Sequence, residues 1–407
     1  MRVTAAERAE VRRGGERVGT ITRTAHGSVF EYDEPFFAQH RSEPGGIAIH
    51  LPYAQRRFET LGTNLHPFFA GLLPEGIRLR ALIQHVKTSE DDLLSLLIAA
   101  GEDTVGDISI LLEGQRTPDA KASPGLPLEQ ARFSELLAQT LARGGMGEPS
   151  VPGIQEKISA STISLPIQLA GPRAYILKLN PKDKPRLVEN EAFFMDMAKA
   201  CGIEVAPTRL VRDRDGEVGL LVERFDRRWS KAERRFERIH QEDGCQILDR
   251  YPAEKYRVAV RALAAAIQET VVAPAPDLAR LLRLLAFSYL IANGDLHAKN
   301  VSVLWDGKLQ GFRLSPAYDL LSTLPYGDRR MALKLDGRDD NLGRAGLLAF
   351  AARLGVKPGA AHAAIDAVCD VAPSWLSRLE EIGLEPRRTQ NLQRVAEKRR
   401  NQLGARG

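Results

Sequence analysis

Apolar and polar positions alternate at period two through RVGTITRTAHGSVFEYDEPFF, in two runs around His26-Gly27, which predicts a β-hairpin. TNLHPFFAGLLPEGIRLRALIQHV then changes to helical spacing, broken by Pro74 and Gly76, and reads as helix, turn, helix. DTVGDISIL returns to strand. EGQRTPDAKASPGLPLE, rich in proline, glycine and small polar residues, is the clearest linker and closes an N-terminal unit over residues 1–115. The next unit, 116–235, runs helix, strands, helix, strands; AYILKLN and GLLVERF are its clearest strands, and ENEAFFMDMAKACG is a helix closed by Gly202. The last unit, 236–407, is mostly helical. In DLARLLRLLAFSYLIAN, Leu278, Leu281, Leu282, Leu285 and Tyr289 share a face from which Arg280 and Arg283 are excluded. GRAGLLAFAARLG and RTQNLQRVAEKRRNQL are also helical, and no internal repeat is present. A β-rich half followed by an α-rich half predicts a two-lobed α+β enzyme with a cleft between its lobes.

Composition narrows the class. The 43% hydrophobic and 27% charged residues are those of a globular protein, and 407 residues suffice for two or three cores. Apolar stretches fall well short of the ~20 residues of a membrane span. The N-terminal MRVTAAERAEVRRGGERVG lacks the apolar run of a secretory signal. Cys201, Cys245 and Cys369 are widely spaced, form neither a zinc motif nor a disulfide framework, and suit a reducing cytoplasm. A net charge of +5 admits an anionic ligand or nucleic acid.

Candidate chemistry centres on NGDLHAKN, residues 293–300. Read alone it is a polar turn. The following VSVLWDGKLQGFRLSP reads as a hairpin about Asp306-Gly307 with a type I′ turn, and a hairpin would return Asp319 to the side of Asn300. Asp295, Asn300 and Asp319 would then converge. Phosphoryl transfer in the kinase fold uses such a set: one Asp for the proton of the attacking hydroxyl, and an Asn with a second Asp for Mg²⁺. Asp319 taken singly also fits a helix N-cap, and His297 fits either a loop-orienting or a hydrogen-bonded structural role. Lys178 lies on a strand, placed to neutralise nucleotide phosphate or to protect a sheet edge. Glu189 and Glu191 on the next helix are both possible ion-pair partners for it. SVPGIQEKIS carries one glycine, Gly153, at a turn that would bring N–H groups to phosphate. In GLLVERFDRR, Glu223, Arg224 and Phe225 end a strand where an interlobe hinge would read adenine; core packing of Phe225 and a surface ion pair for Glu223 fit as well.

Together SVPGIQEK, YILKLN, Asn190-Glu191, VERFDRRW, QEDGCQ, GDLHAKN and SPAYDLLS resemble the HipA family of bacterial serine/threonine kinase toxins, in the family's order and spacing. GLLPEG and AGEDTVGDISIL resemble the family's N-terminal subdomain, so the likeness spans nearly the whole chain. It implies a two-lobed protein-kinase-like α+β fold with an extra N-terminal β-containing subdomain and an all-α C-terminal lobe. It implies Asp295 as proton acceptor, Asn300 and Asp319 as Mg²⁺ ligands, and Lys178 on the ATP phosphates. Glu223, Arg224 and Phe225 would form the hinge, and Pro152, Gly153, Ile154, Gln155, Glu156 and Lys157 would cover the phosphates. His297, Ala298, Lys299 and Asn300, with Tyr318, Asp319, Leu320 and Leu321, would complete the nucleotide site. Autophosphorylation would fall on Ser150, where nearly two added negative charges would eject the loop. The partners implied are a helix-turn-helix antitoxin, operator DNA reached through that complex, and a translation component such as an aminoacyl-tRNA synthetase as substrate. The basic stretches RRWSKAERRFER and EKRRNQLGAR fit either DNA phosphate contacts or solvated faces. Two departures stand out: Pro152 and Ile154 replace residues that are small in the family's loop, and Leu296 stands where its best-known members have glycine. Two rivals follow from the same residues: a small-molecule phosphotransferase of the aminoglycoside or choline kinase type, and a catalytically weak DNA-bound corepressor.

Overall fold

The alternating N-terminal runs form β1 (Arg8–Arg13), β2 (Glu16–Thr24) and β3 (Gly27–Tyr32), each antiparallel to the next. This is a computed structural model, and it describes residues 6–62, 64–101, 104–115, 127–143, 163–169 and 171–405. After α1 (Glu34–His40), β4 (Gly46–Ala48) pairs with β5 (Leu51–Pro52), and β6 (Arg57–Leu61) returns to the edge of the first sheet. Helices α2 (Pro67–Gly71), α3 (Gly76–Val86) and α4 (Leu93–Ala100) lead to β7 (Ile108–Leu112), giving the sheet order β6-β3-β2-β1-β7. The inward positions Val11, Ile21, Phe30, Tyr32, Phe69 and Ile110 make a separate core for this unit.

The small lobe follows α5 (Phe133–Arg143). Strands β8 (Ile163–Gln168), β9 (Ala174–Leu179), β10 (Thr208–Arg212) and β11 (Val218–Glu223) make an antiparallel sheet in the order β10-β11-β9-β8. Between β9 and β10 runs α6 (Leu187–Ala200), ended as expected by Gly202 at φ +72°. Leu165, Leu177 and Leu221 of this sheet pack with Ile77 and Ala81 of α3, so the N-terminal unit lies against the small lobe.

After the hairpin β12 (Arg227–Ser230) and β13 (Arg235–Arg238), the large lobe is built on α7 (Val260–Thr270), α8 (Pro274–Leu290), α9 (Arg344–Arg353), α10 (Pro358–Leu376) and α11 (Pro386–Gly404). Leu278, Leu281, Leu282, Leu285 and Tyr289, the face read from the sequence, are all buried in its core. The same core takes in Phe194, Met195 and Met197 of α6, a helix that also buries Glu189 and Glu191. A three-stranded sheet, β14 (Gln241–Asp243), β15 (Ser302–Asp306) and β16 (Gly311–Leu314), carries the chain past the cleft.

One turn differs from expectation. Pairing of β15 with β16 ends at Asp306↔Gly311, so a four-residue loop, 307–310, replaces the two-residue type I′ turn. The Asp306 carboxylate explains it by accepting the backbone N–H of Lys308 (2.8 Å) and of Leu309 (3.2 Å). Gln310, rather than Gly307, takes the positive φ, +51°.

The segment that follows β11 and joins the lobes is tied to the N-terminal unit by a buried charged knot. Asp226 is paired with Arg224 (2.8 Å) and Arg227 (2.6 Å) and accepts the N–H of Gly106 (3.0 Å). Burial alone would raise this carboxyl; the two guanidinium groups outweigh it and hold the pKa at about 2. Arg227 and Arg238 donate to the carbonyls of Thr104 (2.7 and 2.8 Å) and Gly106 (3.0 and 2.9 Å).

Candidate active site

Helix α8 ends at Leu290, and Ala292 at φ +56° turns the chain across the cleft floor. Buried Asn293 accepts the N–H of Asp295 (2.9 Å), and Thr323 Oγ1 accepts that of Gly294 (2.7 Å). The Asp295 carbonyl accepts from the N–H of His297 (2.8 Å) and from Asn300 Nδ2 (2.8 Å). Gly244 fastens the far side, its N–H shared between the carbonyls of Ala298 (3.0 Å) and Val301 (2.8 Å). A Cβ on Gly244 would stand 2.5 Å from the Ala298 oxygen, so only glycine permits this approach.

Asp319 completes the floor at φ +57°, a left-handed conformation rare for a residue with a Cβ. The strain is held from both sides: the Ala317 carbonyl accepts the N–H of Ala206 (2.9 Å), and Ser322 donates its N–H to Asn190 Oδ1 (2.9 Å). The Asp319 carboxylate lies 2.5 Å from Lys178 Nζ, which also meets Glu191 Oε1 at 2.6 Å. Glu191 is therefore the lysine's partner; Glu189 turns to Arg186 (2.7 Å) and Asn180 (2.9 Å). Burial alone would lower the pKa of Lys178, but Asp319 and Glu191 outweigh it and raise it. Burial pushes Glu191 up to about 7 against the pull of Lys178.

Asn300 and Asp319 line one cleft of about 510 Å³ with Asp295, His297, Lys299 and Tyr318. The Asn300 amide nitrogen is spent on the Asp295 carbonyl, which leaves the amide oxygen as that side chain's acceptor. One amide oxygen and one carboxylate suit a hard cation that completes its shell with phosphate and water. Burial pulls the pKa of His297 down and Asp295 raises it only partly, so this histidine is neutral at neutral pH. Its Nε2 is 4.0 Å from Asp295 Oδ1, and its buried Nδ1 has no partner among the described residues.

Just beyond β11, the ring of Phe225 packs 5.7 Å from that of Tyr318, whose hydroxyl is fixed by Ser302 Oγ (2.5 Å) and the Lys299 carbonyl (2.7 Å). The N–H groups of Glu223 and Arg224 are taken by the carbonyls of Pro207 and Ala174, both at 2.9 Å. Glu223 pairs with Arg173, and the Arg224 side chain belongs to the knot. Ala298 contributes main chain only, donating to the Lys255 carbonyl at 3.2 Å. Leu320 is core and Leu321 is half-buried. Ser150 and residues 152–157 lie outside the described residues.

Several residues of the cleft carried no role in the sequence reading. Glu75, inside GLLPEG, bridges Lys255 (2.6 Å) and Lys299 (3.1 Å), and Lys299 also reaches Asp243 (3.6 Å). Burial would raise Glu75; Lys299 and Lys255 outweigh it and hold it at about 2. Asp243 and Glu75 hold Lys299 up at about 12 in spite of its burial. The N-terminal unit is thus pinned to the 293–300 loop by a charge that is more acidic folded than unfolded. Such a group stabilises above its unfolded pKa of 4.5, and that contribution is lost as pH falls toward 2. Glu75→Gln is expected to be less stable than the parent at pH 7, with the gap closing between pH 4.5 and 2 in urea titrations. A gap independent of pH would sink this reading of the bridge. Tyr256, the remaining unforeseen residue, donates its hydroxyl to Asp295 Oδ1 at 2.6 Å.

Two lobes about a cleft, a buried Lys–Glu pair and an Asp–Asn–Asp floor define a protein-kinase-like phosphotransferase. The comparisons agree. Residues 9–111 match the HipA N-terminal domain and residues 149–376 the HipA-like C-terminal domain. The chain belongs to the HipA family. It is 33% identical to the putative kinase Y4mE of Sinorhizobium fredii over 342 residues, 80% of each chain. It is 29% identical to the serine/threonine-protein kinase toxin HipA of Shewanella oneidensis over 298 residues, 67% of each chain. The fold matches HipA in the Shewanella oneidensis complex of HipA, HipB and operator DNA with a TM-score of 0.73, at 21% identity, covering 97% of this chain and 96% of that one.

Proposed function

We propose that this protein is an ATP- and Mg²⁺-dependent serine/threonine protein kinase and the toxin of a toxin–antitoxin pair. The observation that carries the reading is the convergence of Asp295, Asn300 and Asp319 below the Lys178–Glu191 pair in one cleft. Asp295 takes the proton of an acceptor hydroxyl, and Lys178 neutralises phosphate charge. Asn300 and Asp319 would hold Mg²⁺, which would supply neutralisation of the charge developing on the phosphates. The purine lies between the 223–225 segment and Tyr318, with Phe225 beside it. Ser150 would be the autophosphorylation site. A cytoplasmic setting fits three free, buried cysteines and the absence, among the described residues, of any helix long and apolar enough to cross a membrane.

A HipB-like helix-turn-helix antitoxin would hold the protein and bring it to operator DNA, as corepressor; the Shewanella complex supports this as the assembly of a protein of the same fold. The substrate would be a component of translation, an aminoacyl-tRNA synthetase among the candidates. The test is incubation with radiolabelled Mg-ATP, followed by peptide mapping. Label on Ser150 and on a protein acceptor is expected. Label found only on an added sugar or amine would replace this reading with the small-molecule phosphotransferase.

A further inference from the structure

Tyr256 is 51% exposed, yet its hydroxyl is fixed at the catalytic carboxylate, 2.6 Å from Asp295 Oδ1. Its ring stands edge-on to His297, with centroids 5.0 Å apart. It follows the short turn Pro252–Glu254 on the cleft rim, between β14 and α7. Lys255 anchors that rim independently of the phenol: its carbonyl accepts from Ala298 (3.2 Å) and its ammonium pairs with Glu75 (2.6 Å). Asp295 is likewise already placed through its main chain by Asn293, His297 and Asn300. The main chains of both residues are therefore held without the Tyr256–Asp295 bond, which acts on the carboxylate alone. Burial, and then Asp295, push the phenol's pKa up, so it stays protonated and donates.

A hydroxyl donating to one oxygen of the base is the contact an entering serine or threonine must make before its proton passes to Asp295. We propose that Tyr256 occupies the acceptor-hydroxyl position at Asp295 and sets acceptor specificity, yielding to a serine or threonine on a protein segment but not to water. The inference rests on the kinase reading of the cleft. A protein segment brings flanking contacts that offset the loss of the phenol bond, and the half-exposed ring has solvent to swing into. Water brings none. When water does enter, its oxygen bonds the γ-phosphorus, the bond from that phosphorus to the ADP oxygen breaks with its electron pair leaving on ADP, and the water proton goes to Asp295. The products are ADP and inorganic phosphate.

The experiment compares the full-length parent with Tyr256→Phe, which deletes only the hydroxyl, and Tyr256→Ala, which deletes the ring. ADP release from Mg-ATP is measured without acceptor, and phosphate transfer is measured to a pool of peptides each carrying one serine or threonine. Acceptor-free ADP release is expected to rise several-fold in both variants, and the peptide KM to fall in Tyr256→Phe. Parent-level ADP release and KM in both variants would overturn the proposal. So would ADP release and transfer falling in parallel, the outcome for a residue that merely orients Asp295. Lack of any ATP turnover by the folded parent would instead overturn the kinase reading, and this inference with it. Thermal melts of all three proteins separate folding defects from these outcomes.

Discussion

Asp295→Asn is expected to lower ATP-dependent phosphate transfer by about 10²–10⁴-fold, the usual contribution of a positioned general base. The amide matches the carboxylate in shape and still accepts the Tyr256 hydroxyl, but it cannot take a proton. The loop does not depend on the carboxylate for its form, since its bonds run through the main chain of Asp295 and the side chains of Asn293 and Asn300. Mg-ATP affinity by calorimetry and the thermal midpoint should therefore stay close to those of the parent. Single-turnover transfer of labelled phosphate is the deciding measurement. Transfer at the parent rate would remove Asp295 from the role of base.

The second large effect lies at Lys178. Lys178→Met would leave Glu191, fully buried, facing Asp319 with no cation between them. Breaking a buried pair by deleting one partner costs about 3–5 kcal/mol, because the remaining charge is stranded. ATP binding should be lost as well. The defect carries a pH signature. Without Lys178 the folded pKa of Glu191, already about 7, rises further above the ordinary 4.5. Between those values the folded state binds the proton and the unfolded state does not, so stability falls as pH rises through the window. The variant should be markedly more stable at pH 5 than at pH 8 in urea unfolding. Adding Glu191→Gln should recover much of the stability and none of the ATP binding. A Lys178→Met protein as stable as the parent at both pH values would contradict the buried pair.

The large lobe was legible because its signals are periodic. The buried face of α8 follows from leucine spacing alone, and Gly202 announced the end of α6. The floor of the cleft was legible for a different reason: Asp295 and Asn300 are close in sequence, and β15 and β16 return the chain to them. Selecting Glu191 over Glu189 needed the phase of α6 relative to β9, which depends on a packing shared with the large lobe. Glu75 and Tyr256 left no trace in the pattern. One sits in a turn dominated by Pro74 and Gly76; the other follows a lysine in an irregular segment. Their roles come from contacts across 180 and 39 positions. The loop at 307–310 went astray because Asp306-Gly307 satisfies the dipeptide rule, while the Asp306 carboxylate folds the next residues onto itself.

The knot beyond β11 bears on how the N-terminal unit is held to the lobes. Arg227 and Arg238 grip main-chain carbonyls of the N-terminal unit, and Asp226 grips one of its N–H groups, at the segment that joins the two lobes. Covalent order and spatial order diverge there. Residues 104–108 are distant in the chain from that segment but are clamped to it, and β7, which begins at Ile108, couples them directly to the five-stranded sheet. The five-stranded sheet is thereby tied, through the strand at its edge, to the short segment that joins the two lobes.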